Sequence, residues 1–208
     1  MTRRSAAPIA AALACAITTG CSSPKPESTT PSKAPPPKAA HAWKPAEPVP
    51  SPVAQLSLIA STGTIVPGQR TWLGARFVIA NGWHVYGKDP GDAGMPTRVT
   101  ITTTPGLTIG APIYPPTKRL IDPGDIETNA YEKEAILLFP MDVAADVAAG
   151  TEVKLHAAGS WLACKDQCIK EEGEADLAMN VGATAPAPPE SVAAFTRFPP
   201  PTHLESTP

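Results

Sequence analysis

Two cysteines separated by three residues, Cys164 and Cys168, are the residues of this sequence best suited to chemistry. In an extended strand their Cα atoms would lie about 13 Å apart, which is beyond the reach of a disulfide. A helical turn or a tight loop brings the same atoms within about 6 Å, so a bond between them requires a turn. We expect that turn between a strand that ends near Ala158 and another that starts near Glu174.

A disulfide across so short a loop has two interpretations. The chain-entropy model assigns a five-residue loop about 2 kcal/mol of stabilisation, against about 4.7 kcal/mol for a loop of about 100 residues. A small and accessible loop favours exchange with other thiols, yet a structural bond remains an equal alternative on these grounds. The neighbouring charges do not decide the matter, since Lys165 and Lys170 would favour a thiolate and Asp166 would oppose it.

The first 20 residues predict export, which would place the cysteine pair in an oxidising compartment. Two arginines precede a short apolar stretch, and the sequence GCSS at residues 20–23 resembles the lipobox of bacterial lipoproteins. We predict a lipoprotein signal peptide over residues 1–20, with Cys21 lipidated. The alternative is ordinary cleavage near Ala14 or Gly20, which would leave Cys21 free. The predicted location is the periplasmic face of a bacterial membrane, the outer membrane rather than the inner.

Composition divides the 208 residues into one domain between two proline-rich tails. We predict a disordered tether over residues 21–55, an ordinary domain over residues 56–182, and a second disordered tail over residues 183–208. One short docked turn over Ser191 to Phe198 is the alternative within that tail. No apolar run of 18 residues follows the signal peptide, which argues against a multi-span membrane protein. The net charge of −2 creates no strong field, so nucleic acid is not an expected partner, and any membrane contact is expected through the lipid anchor alone.

The domain has the pattern of β-sheet, because apolar and polar residues alternate with a period of two. In one such stretch, Val153, Leu155 and Ala157 share a face. Turn signals, among them the Asp-Pro-Gly of residues 89–91, separate the stretches. Six to nine short strands predict an all-β fold, an immunoglobulin-like antiparallel β-sandwich, and the absence of βαβ alternation argues against a thioredoxin fold. The strand candidates are residues 55–61, 71–80, 98–103, 107–113, 135–143, 151–157 and 174–181.

Four pieces of sequence, taken in order, carry a resemblance to a known family. They are GWHVYGKDPGDAGMP (residues 82–96), YPPTKR (114–119), YEKEAILLFP (131–140) and CKDQCI (164–169). Their order and spacing resemble the periplasmic N-terminal domain of DsbD-type protein-disulfide reductases, ScsB-like proteins included. The resemblance implies an immunoglobulin-like fold with one redox-active disulfide, formed here by Cys164 and Cys168. Family members are usually fused to a membrane electron-transfer domain and a thioredoxin-like domain; with neither here, we expect a stand-alone lipoprotein.

By this resemblance the chain is a thiol–disulfide oxidoreductase without a cofactor. It would relay electrons from a thioredoxin-like or membrane donor to periplasmic substrate proteins. A partner thiolate would attack one sulfur of the pair, and the second cysteine would resolve the mixed disulfide. Trp161, Tyr131 and Tyr114 are candidate shields of the sulfurs, with plain core packing as the alternative. The glycine-rich segment 89–94 is a candidate cover for the pair, and a plain surface turn is the alternative.

Two other functions compete with exchange. A copper or zinc site would add His84 or His156, and Met95 or Met179, to the two cysteines. The alternation of its strand places His156 on a solvent face, which weakens this hypothesis. The other competitor is a non-catalytic binding module that is held on a tether and has a structural disulfide. A reduction potential below about −300 mV would favour that module.

Overall fold

The computed structural model describes residues 51–122 and 124–201. The predicted signal peptide, Cys21 and most of the predicted tether lie outside the described residues. The described part forms eleven strands and one helix. These are β1 (Ala54–Ala60), β2 (Thr64–Ile65), β3 (Arg70–Ile79), β4 (His84–Gly91), β5 (Arg98–Thr103), β6 (Leu107–Ile109), β7 (Lys118–Asp122), β8 (Ile126–Glu132), β9 (Glu134–Val143), β10 (Glu152–Cys164), β11 (Cys168–Val181) and α1 (Pro189–Arg197).

The strands pair into two sheets. The first has the order β1-β3-β9-β6 and is antiparallel throughout. The second has the order β2-β11-β10-β4-β8-β7, with β5 paired to β10, and only β2 lies parallel to its neighbour. β10 is the central strand of this sheet and pairs with three others. It pairs with β11 along its whole length, with β5 from Leu155 to Ser160, and with β4 at Ala163 and Cys164.

The two sheets pack through one shared hydrophobic core, which confirms the predicted immunoglobulin-like β-sandwich. Alternate residues of each strand point inward, so both sheets contribute to the core as their pleat requires. Residues from the first sheet include Leu58, Phe77 and Phe139, and Val85 and Leu155 come from the second.

β9 differs from the other strands because it is apolar on both faces. Its inward residues join the main core, whereas Ile136 and Leu138 point to the opposite side of the first sheet. There they are covered by Ala194 and Phe195 of α1, together with Ile59 of β1. A strand that is buried on both faces needs an unbroken apolar run, which β9 has in residues 135–139.

The described part of the predicted tail, residues 183–201, contains the helix α1 and is not disordered throughout. The helix includes most of the segment Ser191 to Phe198, for which a docked turn was the alternative. α1 packs onto the first sheet because Ala194 and Phe195 bury apolar surface there. Arg197 adds an ion pair to Glu134 of β9, at 2.8 Å. Within residues 51–122 and 124–201, no helix is long and apolar enough to cross a membrane.

All seven strand candidates contain strands, although several bounds differ. The candidate over residues 107–113 extends as a strand only to Ile109. Those over residues 151–157 and 174–181 are the halves of β10 and β11 that lie far from the cysteines, and both strands continue to the cysteines themselves. The Asp-Pro-Gly predicted as a turn lies inside β4, where pairing with β8 is interrupted between Tyr86 and Gly91. The pattern missed β2, β4, β7 and β8, which are short or carry polar residues.

Candidate functional site

The two cysteines face each other at the closed end of the β10–β11 hairpin. Cys164 is the last residue of β10 and Cys168 is the first of β11, so they form the terminal pair of the ladder. Their Cα atoms are 4.1 Å apart and their sulfurs are bonded. The intervening loop is closed by a 3.0 Å hydrogen bond from the Lys165 N–H to the Gln167 carbonyl. The pair therefore occupies a tight loop, as its spacing required, but between strands longer than expected.

β11 begins at Cys168, whereas the sequence pattern placed the start of this strand near Glu174. Its first half carries Lys170, Glu172 and Glu174, residue types that are depleted in strands. All three side chains are exposed on the outer face of the second sheet, where charge has no desolvation cost. Lys170 and Glu172 also form an ion pair on this face, at 2.7 Å.

The two sulfur-bearing residues differ sharply in exposure. Cys164 is only 2 % exposed and lies in a small buried cluster with Tyr86 and Ala130. Partly buried Leu120 and Leu162 pack against the same cluster. Cys168 is exposed to solvent. A thiol carried by another protein can therefore reach Cys168, whereas the surrounding side chains close off Cys164.

A histidine lies directly beside the buried cysteine. His84, the first residue of β4, pairs with Cys164 on one side and with Glu132 of β8 on the other. Residues that oppose each other in an antiparallel pair point to the same face, with Cβ atoms about 4.5–5.5 Å apart. His84 is 9 % exposed, and its Nε2 is buried without a hydrogen-bond partner. The sequence indicated His84 only as a candidate metal ligand, because the register between β4 and β10 depends on residues far apart in the chain.

The charge state of His84 follows from its surroundings. Burial lowers the pKa of His84 below its ordinary value, and the acidic groups Asp122 and Glu132 oppose that shift. The pKa of Glu132 is itself lowered, first by its hydrogen bond from Lys118, so this carboxylate is charged at neutral pH. The imidazole of His84 is therefore neutral near pH 7 while the disulfide is intact.

A glycine-rich loop covers the aromatic part of the cluster. Gly94 has φ +106°, and a Cβ placed on it would lie 2.7 Å from the ring of Tyr86. The loop is held at its start by a hydrogen bond from the Asp92 N–H to the Glu127 carbonyl, at 2.8 Å. At its end, the Thr97 hydroxyl donates to the carbonyl of Tyr86 at 2.6 Å. The segment predicted as a cover thus lies on Tyr86, which in turn packs with Cys164 and meets the His84 ring edge-to-face at 5.2 Å.

The three aromatic residues predicted as shields pack with the main core instead. Trp161 is 1 % exposed and meets the ring of Phe77 edge-on at 5.0 Å. Trp161 lies three positions before Cys164 on the same strand, so their side chains point to opposite faces. The hydroxyl of Tyr131 donates to the Pro115 carbonyl at 3.0 Å, and burial raises its pKa.

Tyr114 contacts the residue at the end of the glycine-rich loop. Its side chain packs against the main core, and its hydroxyl donates to the carbonyl of Thr97 at 2.9 Å. The contacts of all three aromatic residues thus support core packing, the alternative that the sequence left open. The residues that lie beside Cys164 are His84, Tyr86 and Ala130.

A carboxylate anchors the β10–β11 hairpin to the start of the domain. Glu171, three residues after Cys168, accepts hydrogen bonds from the backbone N–H groups of Val53 at 2.7 Å and Ala54 at 3.0 Å. It also accepts one from Trp161 Nε1 at 2.9 Å. Glu171 was not among the residues predicted from the sequence, because the strand was expected to start only near Glu174. Its inward position in β11 would have been the signal, since an acidic residue there needs buried donors.

The other proposed metal ligands are scattered. His156 lies on the exposed face of β10, and its Nδ1 is 2.8 Å from Asp176. Met179 is 4 % exposed within the main core, and Met95 lies in the glycine-rich loop. In the described ranges, 51–122 and 124–201, no three His, Cys, Asp or Glu side chains gather as a metal site.

Comparison with known proteins places the chain in a family. The family model described as "Thiol:disulfide interchange protein DsbD, N-terminal" matches residues 56–180. No curated protein sequence matches the chain significantly.

Three solved structures are similar to parts of this chain. The N-terminal periplasmic domain of ScsB from Proteus mirabilis has 18% identity and TM-score 0.42, over 69% of this chain and 50% of that one. The reduced DsbD N-terminal domain of Neisseria meningitidis has 18% identity and TM-score 0.37, over 64% of this chain and 90% of that one. A complex of the DsbD and PilB N-terminal domains, also from Neisseria meningitidis, has 17% identity and TM-score 0.29, over 56% and 80%. The chain spans half the length of the ScsB domain. The family model covers more than half of the sequence, and the expected cysteine pair lies at the tip of the β10–β11 hairpin. The chain therefore belongs to the family of DsbD N-terminal domains.

Proposed function

We propose that this protein is a periplasmic thiol–disulfide exchange module that relays electrons from a thioredoxin-like donor to substrate proteins through Cys164 and Cys168. One observation carries the proposal above all: the disulfide joins an exposed cysteine to a buried one at the tip of a hairpin. A bond with one accessible sulfur can be opened by a protein thiol in a defined direction. Membership of a thiol:disulfide interchange family supports the same chemistry.

The proposed reductive half-reaction begins at Cys168. A donor thiolate attacks the Cys168 sulfur, forms a mixed disulfide, and displaces Cys164 as a thiolate. The second donor thiolate then attacks the donor sulfur of the mixed disulfide and releases Cys168. Two electrons pass to the pair, and the donor leaves as a disulfide.

The oxidative half-reaction reverses these roles. The Cys168 thiolate attacks a disulfide of the substrate protein, and one substrate cysteine leaves as a thiolate. Cys164 then attacks the sulfur of Cys168, which re-forms the intramolecular bond and releases the substrate with both its thiols reduced. The buried cysteine never needs to meet the partner, in agreement with its 2 % exposure.

The location of the module is also a proposal. The signal peptide over residues 1–20 and the lipobox at Cys21 would leave the domain on a tether at the periplasmic face of a membrane. Two or three acyl chains on Cys21 suffice for stable attachment. Labelling of the protein with a fatty acid in cells should be lost in Cys21→Ser, and equal labelling of that variant would refute the anchor.

The direct test of exchange uses a thioredoxin that lacks its resolving cysteine as the probe. The full chain carries Cys15→Ser and Cys21→Ser, so that the only reactive sulfurs belong to the pair. Rapid acid quenching protonates the Cys164 thiolate before it can displace the thioredoxin. We expect the quenched mixtures to contain a mixed disulfide that peptide mass mapping locates on Cys168. The control with both Cys164→Ser and Cys168→Ser should form no adduct.

Two outcomes of this test would contradict the proposal. An adduct on Cys164 would reverse the assigned roles of the two cysteines. The failure of thioredoxin to open a bond that a small dithiol opens readily would exclude exchange with such donors. Redox equilibration should also place the potential of the pair above about −300 mV, and a lower value would favour a structural disulfide.

A further inference from the structure

The proposed exchange leaves one chemical problem, which is the charge on the cysteine that departs. Cys164 leaves as a thiolate inside a cluster formed by Tyr86 and Ala130, with Leu120 and Leu162 packed against it. An anion in such surroundings lacks the hydration that stabilises it in water. Burial of this kind raises a thiol pKa and makes the sulfur a poorer leaving group.

The groups beside Cys164 include one that can solve this problem. His84 occupies the position directly across the β4–β10 ladder from Cys164, and it points to the same face. Its Nε2 is buried and has no hydrogen-bond partner while the disulfide is intact. A buried polar atom without a partner is rare in folded proteins, and one beside a reacting sulfur suggests a partner that appears during the reaction.

We propose that the imidazole of His84 stabilises the Cys164 thiolate, so that Cys164 is the sulfur that leaves when the disulfide opens. This inference rests on the proposed exchange function. The donor thiol releases one proton when it becomes the attacking thiolate, and that proton is taken up by the imidazole next to Cys164. The product is an imidazolium–thiolate pair with no net charge, which a buried site tolerates far better than a lone anion.

The charged and titratable groups around His84 agree with this role. Glu132 faces it from β8 and Asp122 from β7, and both favour a protonated imidazole. Tyr86 on the same strand meets its ring edge-on and, because burial raises its pKa, stays neutral. Lys118 is occupied by its ion pair with Glu132, at 2.8 Å. With the disulfide intact, the effect of burial on the His84 pKa exceeds that of the two carboxylates, so the pKa is lowered. A thiolate at Cys164 adds a third negative charge, which favours the protonated imidazole.

The first experiment measures the pKa of the Cys164 thiol without any partner protein. The full chain with Cys15→Ser, Cys21→Ser and Cys168→Ser has Cys164 as its one thiol. Its ¹³Cβ chemical shift, followed against pH by NMR, reports the thiolate even where alkylating reagents cannot reach it. We expect His84→Gln to raise this pKa by about one to two units, because an amide cannot take up the proton that gives the thiolate an opposite charge beside it.

A matched control separates this role from general effects of losing a histidine. His156 lies on the same outer face of the second sheet, is half-exposed, and contacts Asp176 rather than a cysteine. His156→Gln should leave the Cys164 pKa unchanged. An equal Cys164 pKa in the Cys15→Ser, Cys21→Ser, Cys168→Ser chain with and without His84→Gln would overturn the inference.

The second experiment needs no substitution at His84, so it holds even where His84→Gln folds poorly. In the full chain with Cys15→Ser and Cys21→Ser, the ring nitrogens of His84 are titrated by NMR in the oxidised and reduced forms. We expect the imidazole pKa to be higher in the reduced form, because a thiolate then lies beside it. Identical titrations in the two forms would refute the pairing.

The two proposals fail in different ways. If thioredoxin forms no adduct but both titrations shift as expected, the exchange function is wrong and the His84–Cys164 pairing survives. If the adduct forms on Cys168 but neither titration shifts, the exchange function stands and the role of His84 is wrong.

Discussion

Replacement of Glu171 by glutamine is the perturbation whose consequence the structure determines most directly. One carboxylate oxygen accepts from the Val53 N–H, and the other accepts from the Ala54 N–H and the Trp161 ring. Glutamine keeps the shape but replaces one oxygen by an NH₂ group, which cannot accept a hydrogen bond. In the better of its two orientations it leaves the Val53 N–H facing another donor, and the remaining two hydrogen bonds lose their charge assistance.

The magnitude follows from these losses. An unsatisfied buried donor costs about 1–3 kcal/mol, and charge-assisted hydrogen bonds are roughly twice as strong as neutral ones. Because Glu171 is only half-buried, we expect Glu171→Gln to reduce the free energy of unfolding by about 2–4 kcal/mol. For a domain of this size that corresponds to a fall in melting temperature of about 5–15 °C.

The matched control is the neighbouring residue. Glu172 is exposed and has an ion pair with Lys170 as its contact, so Glu172→Gln should cost less than about 1 kcal/mol. Urea unfolding of the oxidised protein compares the two variants, and hydrogen exchange locates the effect. We expect the amides of Val53 and Ala54 to lose protection in Glu171→Gln alone. Equal stabilities of the two variants, or unchanged protection of those two amides, would show that this carboxylate does not anchor the first strand.

Two further predictions concern the covering loop and the docked helix. Gly94→Ala should displace the loop from Tyr86 and speed reduction of the disulfide by a small dithiol, because the new Cβ would overlap the ring. Gly150→Ala is its control, with a similarly positive φ but no atom within 4 Å, and equal reduction rates would dismiss the loop as a cover. Burial acts to raise the pKa of Glu134, but its hydrogen bonds from two arginines outweigh burial and hold the pKa below 4.5. The stability from this carboxylate is therefore complete above pH 4.5 and is lost as pH falls through the lowered pKa. Below pH 4.5 the melting temperature of wild type should fall more steeply with pH than that of Glu134→Gln. Parallel plots of melting temperature against pH would disprove the coupling.

Several features of this protein follow from local sequence alone. Alternation around Val153 and Leu177 predicts two strands, because a sheet with one solvated face needs a period of two. The spacing of Cys164 and Cys168 requires a turn, because chain geometry forbids the bond in any extended segment. The ordered pieces between residues 82 and 169 are enough to indicate the family. The first two inferences depend on residues close together in the chain, and the third depends on the order of short pieces along it.

The helix α1 shows where such local reasoning stops. Its proline-rich surroundings have the composition of a disordered tail, and a helix of nine residues is marginal by itself in water. It forms because Ala194 and Phe195 cover the second apolar face of β9. The unbroken apolar run of β9 is typical of a strand that is covered on both faces, but the run does not tell which segment covers it.

The site itself was decided by tertiary structure. The opposite exposures of Cys164 and Cys168 arise because β4 and β8 bring Tyr86 and Ala130 around one sulfur and leave the other at the sheet surface. The approach of His84 to Cys164 joins residues 80 positions apart, through a register that long-range strand pairing alone sets. Composition and spacing determined that two sulfurs meet in a turn; the packing of distant strands decided which of them a partner can reach, because burial is a property of the assembled sheets.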